Sequence, residues 1–171
     1  VGSEMCIRDR GTAPTNFMML MLLTLIREVL GLKPYLPDLA NDNKPRHVIF
    51  LEEAHNLIAN TSVQTAGSID PKIAATAFIK DMLAEVRALG EGIIIADQLP
   101  TAMASEVVKN TSLKIGLRLT SEDERRLLGE TMSADSVQIE NMGIFTPGQC
   151  IVGFEKLLKP FEMRIPEFKA C

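Results

Sequence analysis

An apolar stretch that ends abruptly in two adjacent carboxylates, His47-Val-Ile-Phe-Leu-Glu-Glu-Ala-His55, constrains this chain more than any other feature. Val48 to Leu51 are four consecutive apolar residues, the pattern of a strand buried on both faces. In open α/β sheets, ligands bind outside the carboxyl ends of the strands, so acids placed there face a site. Nucleotide hydrolysis needs such a pair: one carboxylate to hold hydrated Mg²⁺ and one to orient the attacking water. Glu52 is the candidate for the first role and Glu53 for the second. The same residues would also make a solvated surface turn, or let Glu53 open a helix whose dipole favours negative charge.

The next eighty residues alternate helix and strand. Asp70-Pro71 starts a helix, with Asp at the N-cap and Pro at the first helical position. Ile73, Ala77, Phe78, Met82, Leu83 and Val86 then recur at helical spacing, and Gly90 supplies the stop. Ile93 to Ala96 read as a second buried strand, ending in Asp97-Gln98-Leu99-Pro100. A helix is expected over about 101–109, a third strand over Leu113 to Leu119, and a capping box at Ser121-Glu-Asp-Glu124 on a further helix. Strands separated by helix-length segments imply crossover connections and a mostly parallel sheet. After Asn141 the character changes. Gly143 to Gly148 is turn-rich, and Gln149 to Gly153 and Phe161 to Ile165 read as a C-terminal β-hairpin bounded by Pro160 and Pro166.

Four motifs, in order, carry a more specific likeness: Glu52-Glu53-Ala54-His55; Glu85-Val-Arg87-Ala-Leu-Gly90; Asp97-Gln98-Leu99-Pro100; and Asn110-Thr111 followed by Lys114-Ile115 and Leu117-Arg118. Each alone is weak, but the ordered set resembles the C-terminal half of the P-loop ATPase core of the HerA/FtsK superfamily of hexameric DNA-pumping motors. The likeness runs from about Leu25 to Pro166. It implies a partial RecA-like, ASCE-type fold: a mostly parallel sheet flanked by helices, closed by the C-terminal hairpin. By the same resemblance Glu52 is the Walker B metal-side acid and Glu53 the catalytic glutamate. Gln98 is the sensor of the γ-phosphate, and Arg87 the arginine finger that reaches the next subunit's site. ATP and Mg²⁺ are the implied ligands, DNA the implied track, and a homo-oligomeric ring, such as a hexamer, the implied assembly.

Several positions depart from that pattern. The metal-side acid is Glu rather than Asp, Asp97 stands where a small hydroxyl residue is usual, and Leu99 where Arg often follows the Gln. No G-x-x-x-x-G-K-[ST] occurs in the sequence, so the loop that cradles phosphates is missing. In the resembled family that loop lies N-terminal to the Walker B strand. Its strand lies inside the sheet, between the one ending at Gln98 and the one near Leu113. Val1 to Arg10 resembles translated sequencing-adaptor read-through and is set aside as non-native. Residues 11–171 are thus expected to be the C-terminal half of one ATPase domain, inactive by itself.

With 46% hydrophobic residues in 171, the chain has the material for one core and is not disordered. Phe17 to Ile26 is a dense apolar run, stopped by Arg27 and Glu28 before it reaches membrane-spanning length. It is expected as a buried helix packed on the sheet, with no stable membrane insertion. Cys6, Cys150 and Cys171 have no metal-binding spacing and point to a reducing cytoplasm. His55 suits packing or support of the acids better than metal ligation, and His47 the polar start of the strand. The net charge of −4 does not advertise nucleic-acid binding, although a ring needs only a few pore-loop contacts to hold DNA. The candidate loop is Asn60 to Ser68, which also reads as an ordinary solvated connection. Two other functions stay open beside the motor: a non-catalytic ATPase-like scaffold, and a Mg²⁺-dependent hydrolase or nuclease acting through Glu52 and Glu53. The last would need further convergent carboxylates, and Asp97 is the one well placed.

Overall fold

Strands β1 (His47–Glu52) and β2 (Glu91–Ala96) run parallel and in register, from His47 opposite Glu91 to Glu52 opposite Ala96. A parallel pair needs a long crossover, and residues 76–83 within it are helical (α2). The computed structural model describes residues 12–32, 47–58, 76–83, 85 and 91–167. These fall into two units, one ending at Ala96 and the other beginning at Asp97. The expected starts and stops at Asp70-Pro71 and Gly90, the adaptor-like Val1 to Arg10, the loop Asn60 to Ser68 and Arg87 all lie outside the described residues.

In the first unit, helix α1 (Thr12–Gly31) precedes β1. Leu23 of α1 is buried, as are Leu51, Ala54, Leu57, Ile58, Ile79 and Met82. Asn16 and Arg27 tie α1 to its surroundings. Asn16 Nδ2 donates to the Asn56 carbonyl at 2.8 Å. Arg27 makes a two-pronged bond to Glu85, Nε to Oε2 at 2.8 Å and Nη2 to Oε1 at 2.7 Å, with its guanidinium 5.4 Å from the Phe78 ring centroid. Two expectations are corrected here. The apolar run of α1 is not buried all round: Phe17, Met18, Met21, Leu22, Leu25 and Val29 are exposed. At 100° per residue these six share one stripe of the helix. Nor is β1 buried on both faces, because Val48 is 59% and Phe50 55% exposed. Ile94, opposite Phe50 on β2, is exposed with them. Among the described residues no helix is long and apolar enough to cross a membrane.

The second unit is built on an antiparallel sheet in the order β3-β4-β5: β3 (Leu113–Gly116), β4 (Gln149–Phe154) and β5 (Phe161–Arg164). The expected hairpin is β4–β5, with Gln149 opposite Arg164 and Val152 opposite Phe161. The third strand differs from expectation in length and direction. It stops at Gly116 and pairs antiparallel with β4, Leu113 opposite Phe154, so the parallel crossover pair is β1–β2. Helices α4 (Glu122–Met132) and α5 (Ser136–Asn141) flank the core of this unit, where Met132 of α4 packs with Met142, Phe145 and Ile151, and Leu128, Ala134 and Ile139 pack against them. Gly116 permits that approach: a Cβ there would lie 2.9 Å from Ile151 Cγ2, 3.0 Å from Leu128 Cδ2 and 3.1 Å from Met142 Sδ.

A capping box opens α5. Asp135 Oδ1 accepts from the Gln138 N–H at 3.0 Å, and Gln138 Oε1 accepts from the Asp135 N–H at 3.2 Å. The other end of the Gln138 amide, Nε2, donates to the Pro160 carbonyl at 2.9 Å, just before β5.

Candidate functional site

The acidic pair stands at the carboxyl end of β1. Glu52 is the last residue of the strand, its side chain exposed. Glu53 takes a left-handed backbone conformation, φ 51° and ψ 43°, and leads into a 3₁₀ turn over Ala54–Asn56. For a residue with a side chain this conformation costs roughly 1–2 kcal/mol. The neighbours hold it. The Glu53 N–H donates to the Ala96 carbonyl at 3.0 Å, and the Glu53 carbonyl accepts from the Asn56 N–H at 3.0 Å. Ala54, Leu57 and Ile58 sink into the core immediately after, and the Ile58 N–H closes on the Ala54 carbonyl at 2.7 Å. The turn is thus anchored from below by burial and from the side by β2. The Glu53 carboxylate remains exposed, 3.8 Å from Nε2 of half-buried His55. His55 thus stands beside the acid.

The donor set at Glu52 fits a magnesium ion. Mg²⁺ keeps most of its waters and takes one or two carboxylates plus substrate phosphates, so one exposed carboxylate at a strand end suffices from this part of a site. Among the described residues no group of three or more His, Cys, Asp or Glu side chains is placed to hold a metal by itself.

In the second unit the candidate sensor occupies a built loop. Gln98 is exposed, and the residues on either side of it are fixed. Asp97 Oδ1 accepts from the Leu99 N–H at 2.8 Å, folding the chain around Gln98. Pro100 then begins a 3₁₀ turn, Pro100–Ala102, in which the Ala102 N–H donates to the Leu99 carbonyl at 3.0 Å. The helix expected over 101–109 is therefore shorter: Met103 is extended, and α3 spans Ser105–Asn110. The expected capping box at Ser121 is also absent, since Ser121 makes no side-chain capping bond. The Glu124 carboxylate instead accepts two bonds from Thr101, one from its N–H at 2.8 Å and one from its hydroxyl. Thr101 and Glu124 escaped the sequence reading, and the local signal at Glu124 pointed elsewhere.

The structure thus places Glu52, Glu53 and His55 together, and sets Gln98 in a constrained loop. Arg87 lies outside the described residues.

The sequence matches no known protein-family model and none of the curated proteins. Solved structures do match in fold. The genome packaging NTPase B204 from Sulfolobus turreted icosahedral virus 2, in complex with ATP-gammaS, aligns with a TM-score of 0.52 at 16% identity. That alignment covers 70% of this chain and 52% of B204. The AMP complex of B204 aligns with a TM-score of 0.55 at 14% identity, over 93% of this chain and 65% of that one. VirB4 of Thermoanaerobacter pseudethanolicus gives a TM-score of 0.66 at 14% identity, over 94% of this chain and 39% of VirB4. The chain therefore has a mixed α/β fold similar to those of the packaging NTPase B204 and of VirB4. It spans about half the length of the B204 structures that head these matches.

Proposed function

We propose that this chain is the C-terminal half of an ATP-hydrolysing motor domain, of the kind that assembles as a homo-oligomeric ring and moves DNA. One observation carries the reading. In a fold shared with NTPases, a strand in parallel register ends in an exposed acid, Glu52, followed by a second acid held in a left-handed turn, Glu53. Glu52 would hold hydrated Mg²⁺, which when bound neutralises charge on the ATP phosphates. Glu53 accepts the hydrogen bond of the attacking water and aims it at the γ-phosphorus, with His55 beside it. Gln98 contacts the γ-phosphate and registers its loss. Arg87 stabilises transition-state charge in a neighbouring copy's site, a contribution worth several orders of magnitude in rate in related chemistry. Phosphate binding belongs to a G-x-x-x-x-G-K-[ST] loop outside this sequence. The setting is cytoplasmic.

The test is Glu53→Gln in the natural gene product. ATP binding should persist while turnover falls by at least about 100-fold, the usual contribution of a positioned base. Turnover that survives this substitution would remove Glu53 from the role.

A second reading is a non-catalytic ATPase-like scaffold, in which Glu52 and Glu53 support no turnover. Reading the gene upstream of the Gly11 codon separates the two. A G-x-x-x-x-G-K-[ST] after a strand pattern supports the motor, and a start codon with no such motif supports the scaffold.

A further inference from the structure

Glu124 is an acid in the wrong place for its local pattern. Its position, three residues after Ser121 in the first turn of α4, is that of the distal partner in a capping box, yet the side chain turns away from the helix start. It is 7% exposed, and its two oxygens are spent on one residue. Oε2 accepts from the Thr101 backbone N–H at 2.8 Å, and Oε1 accepts from the Thr101 hydroxyl. Hydrogen bonds to an ionised acceptor are roughly twice as strong as neutral ones. The two bonds here differ in kind, so they fix both the backbone and the rotamer of Thr101.

Thr101 lies three residues beyond Gln98, in the 3₁₀ turn that Pro100 begins. Pro100 is buried, and the turn's first carbonyl, that of Leu99, is held by the Ala102 N–H. On the other side of Gln98, Asp97 ties down the Leu99 N–H at 2.8 Å. Leu99, the residue after Gln98, thus has its N–H and its carbonyl both engaged, and the turn that engages the carbonyl is itself held by Glu124. Gln98 is exposed, with both backbone groups of the residue that follows it held in place.

We propose that Glu124 is a positioning residue: through Thr101 it clamps the loop that carries Gln98 and sets where the Gln98 amide stands. The inference rests on the reading of Gln98 as the residue that contacts the γ-phosphate. A sensor must report displacements of about an ångström, and misplacement on that scale costs on the order of 100-fold in rate. A loop of six residues with an exposed tip needs an external brace to hold such a position. The carboxylate of Glu124, buried and supplied by a helix from further along the chain, is that brace.

The test uses the natural gene product with MgATP, and three variants chosen to keep the fold. Thr101→Val keeps the shape of the side chain and removes the hydroxyl. Thr101→Ser restores it. Glu124→Gln keeps one acceptor and loses the other. Steady-state turnover is measured together with amide hydrogen exchange over residues 97–104. The expected result is a kcat lower by about 10- to 100-fold in Thr101→Val and Glu124→Gln, with KM for ATP within about threefold of the parent. Thr101→Ser should be close to the parent, and exchange over the loop should quicken at least tenfold in the first two variants. Unchanged exchange in both Thr101→Val and Glu124→Gln overturns the clamp. Faster exchange with unchanged kcat also overturns it, since the bonds would then be merely structural. Gln98→Ala serves as the control on the underlying reading. If that variant keeps full turnover, the sensor role of Gln98 fails, whereas the exchange data still decide whether Glu124 holds the loop.

Discussion

The backbone N–H of Glu53 donates a 3.0 Å hydrogen bond to the carbonyl of Ala96, carrying the parallel ladder one step past the last paired residues, Glu52 and Ala96. Glu53 makes this bond while its own φ is positive. The strand partner therefore holds a conformation that the residue itself disfavours. Replacing Glu53 by Gly removes the steric cost, at the expense of a more flexible unfolded chain. We expect Glu53→Gly to be as stable as the parent or up to about 1 kcal/mol more stable by denaturant unfolding, while ATP turnover is lost. A variant that loses both stability and turnover would mean that the carboxylate, not the turn, holds this corner.

Gly116 sits where β3 meets the core of the second unit, with three side chains within 3.1 Å of the space a Cβ would fill. Ile151 and Met142, two of those neighbours, are fully buried and have little room to retreat. Gly116→Ala should cost about 1–3 kcal/mol, as overpacking does in other cores. Urea unfolding of the two proteins under one set of conditions would measure it.

Arg27 has two partners of different kinds. Its bond to Glu85 is two-pronged but about half in water, so Glu85→Gln should cost less than about 1 kcal/mol. Arg27→Ala also removes the guanidinium from over the Phe78 ring, and with it a cation–π contact worth roughly 0.5–1 kcal/mol at exposed sites. The arginine variant should therefore melt lower than the glutamate variant. High salt should shrink the effect of Glu85→Gln more than that of Arg27→Ala.

Residues 11–171 produced alone should self-associate. Opposed residues of an antiparallel pair share a sheet face, and Leu113, Ile115, Phe154, Phe161 and Met163 form one apolar surface of β3-β4-β5 left partly open to water. Size-exclusion chromatography with light scattering should show oligomers or losses on the column. Ile115→Lys with Phe161→Lys should shift the population toward monomer. A stable monomer of the parent fragment would contradict the expectation.

Strand β1 was legible in sequence because its signal is local: a short apolar run, then acids, with β2 and the hairpin marked by similar runs between turn residues. The covering of those strands was not. Val48-Ile-Phe-Leu51 reads the same whether a neighbour lies on one face or two, and here Val48 and Phe50 face water. The direction of β3 escaped for a related reason. Its alternating pattern is common to parallel and antiparallel strands, and its partner, β4, arrives some thirty residues later. At Glu124 two demands competed for one carboxylate. The nearby Ser121 N–H was visible in the sequence, while Thr101 is brought close only by the fold.

The amide of Gln138 faces two ways, its oxygen on the Asp135 N–H at the start of α5 and its nitrogen on the Pro160 carbonyl at the end of the β4–β5 connection. The first turn of α5 and the hairpin's return are thereby yoked, so that fraying of either loosens the other and the two should melt as one cooperative step. The connection is also restricted in length. An insertion between Glu155 and Pro160 would carry that carbonyl out of reach of Gln138, whereas a loop without such a tether would absorb it at little cost.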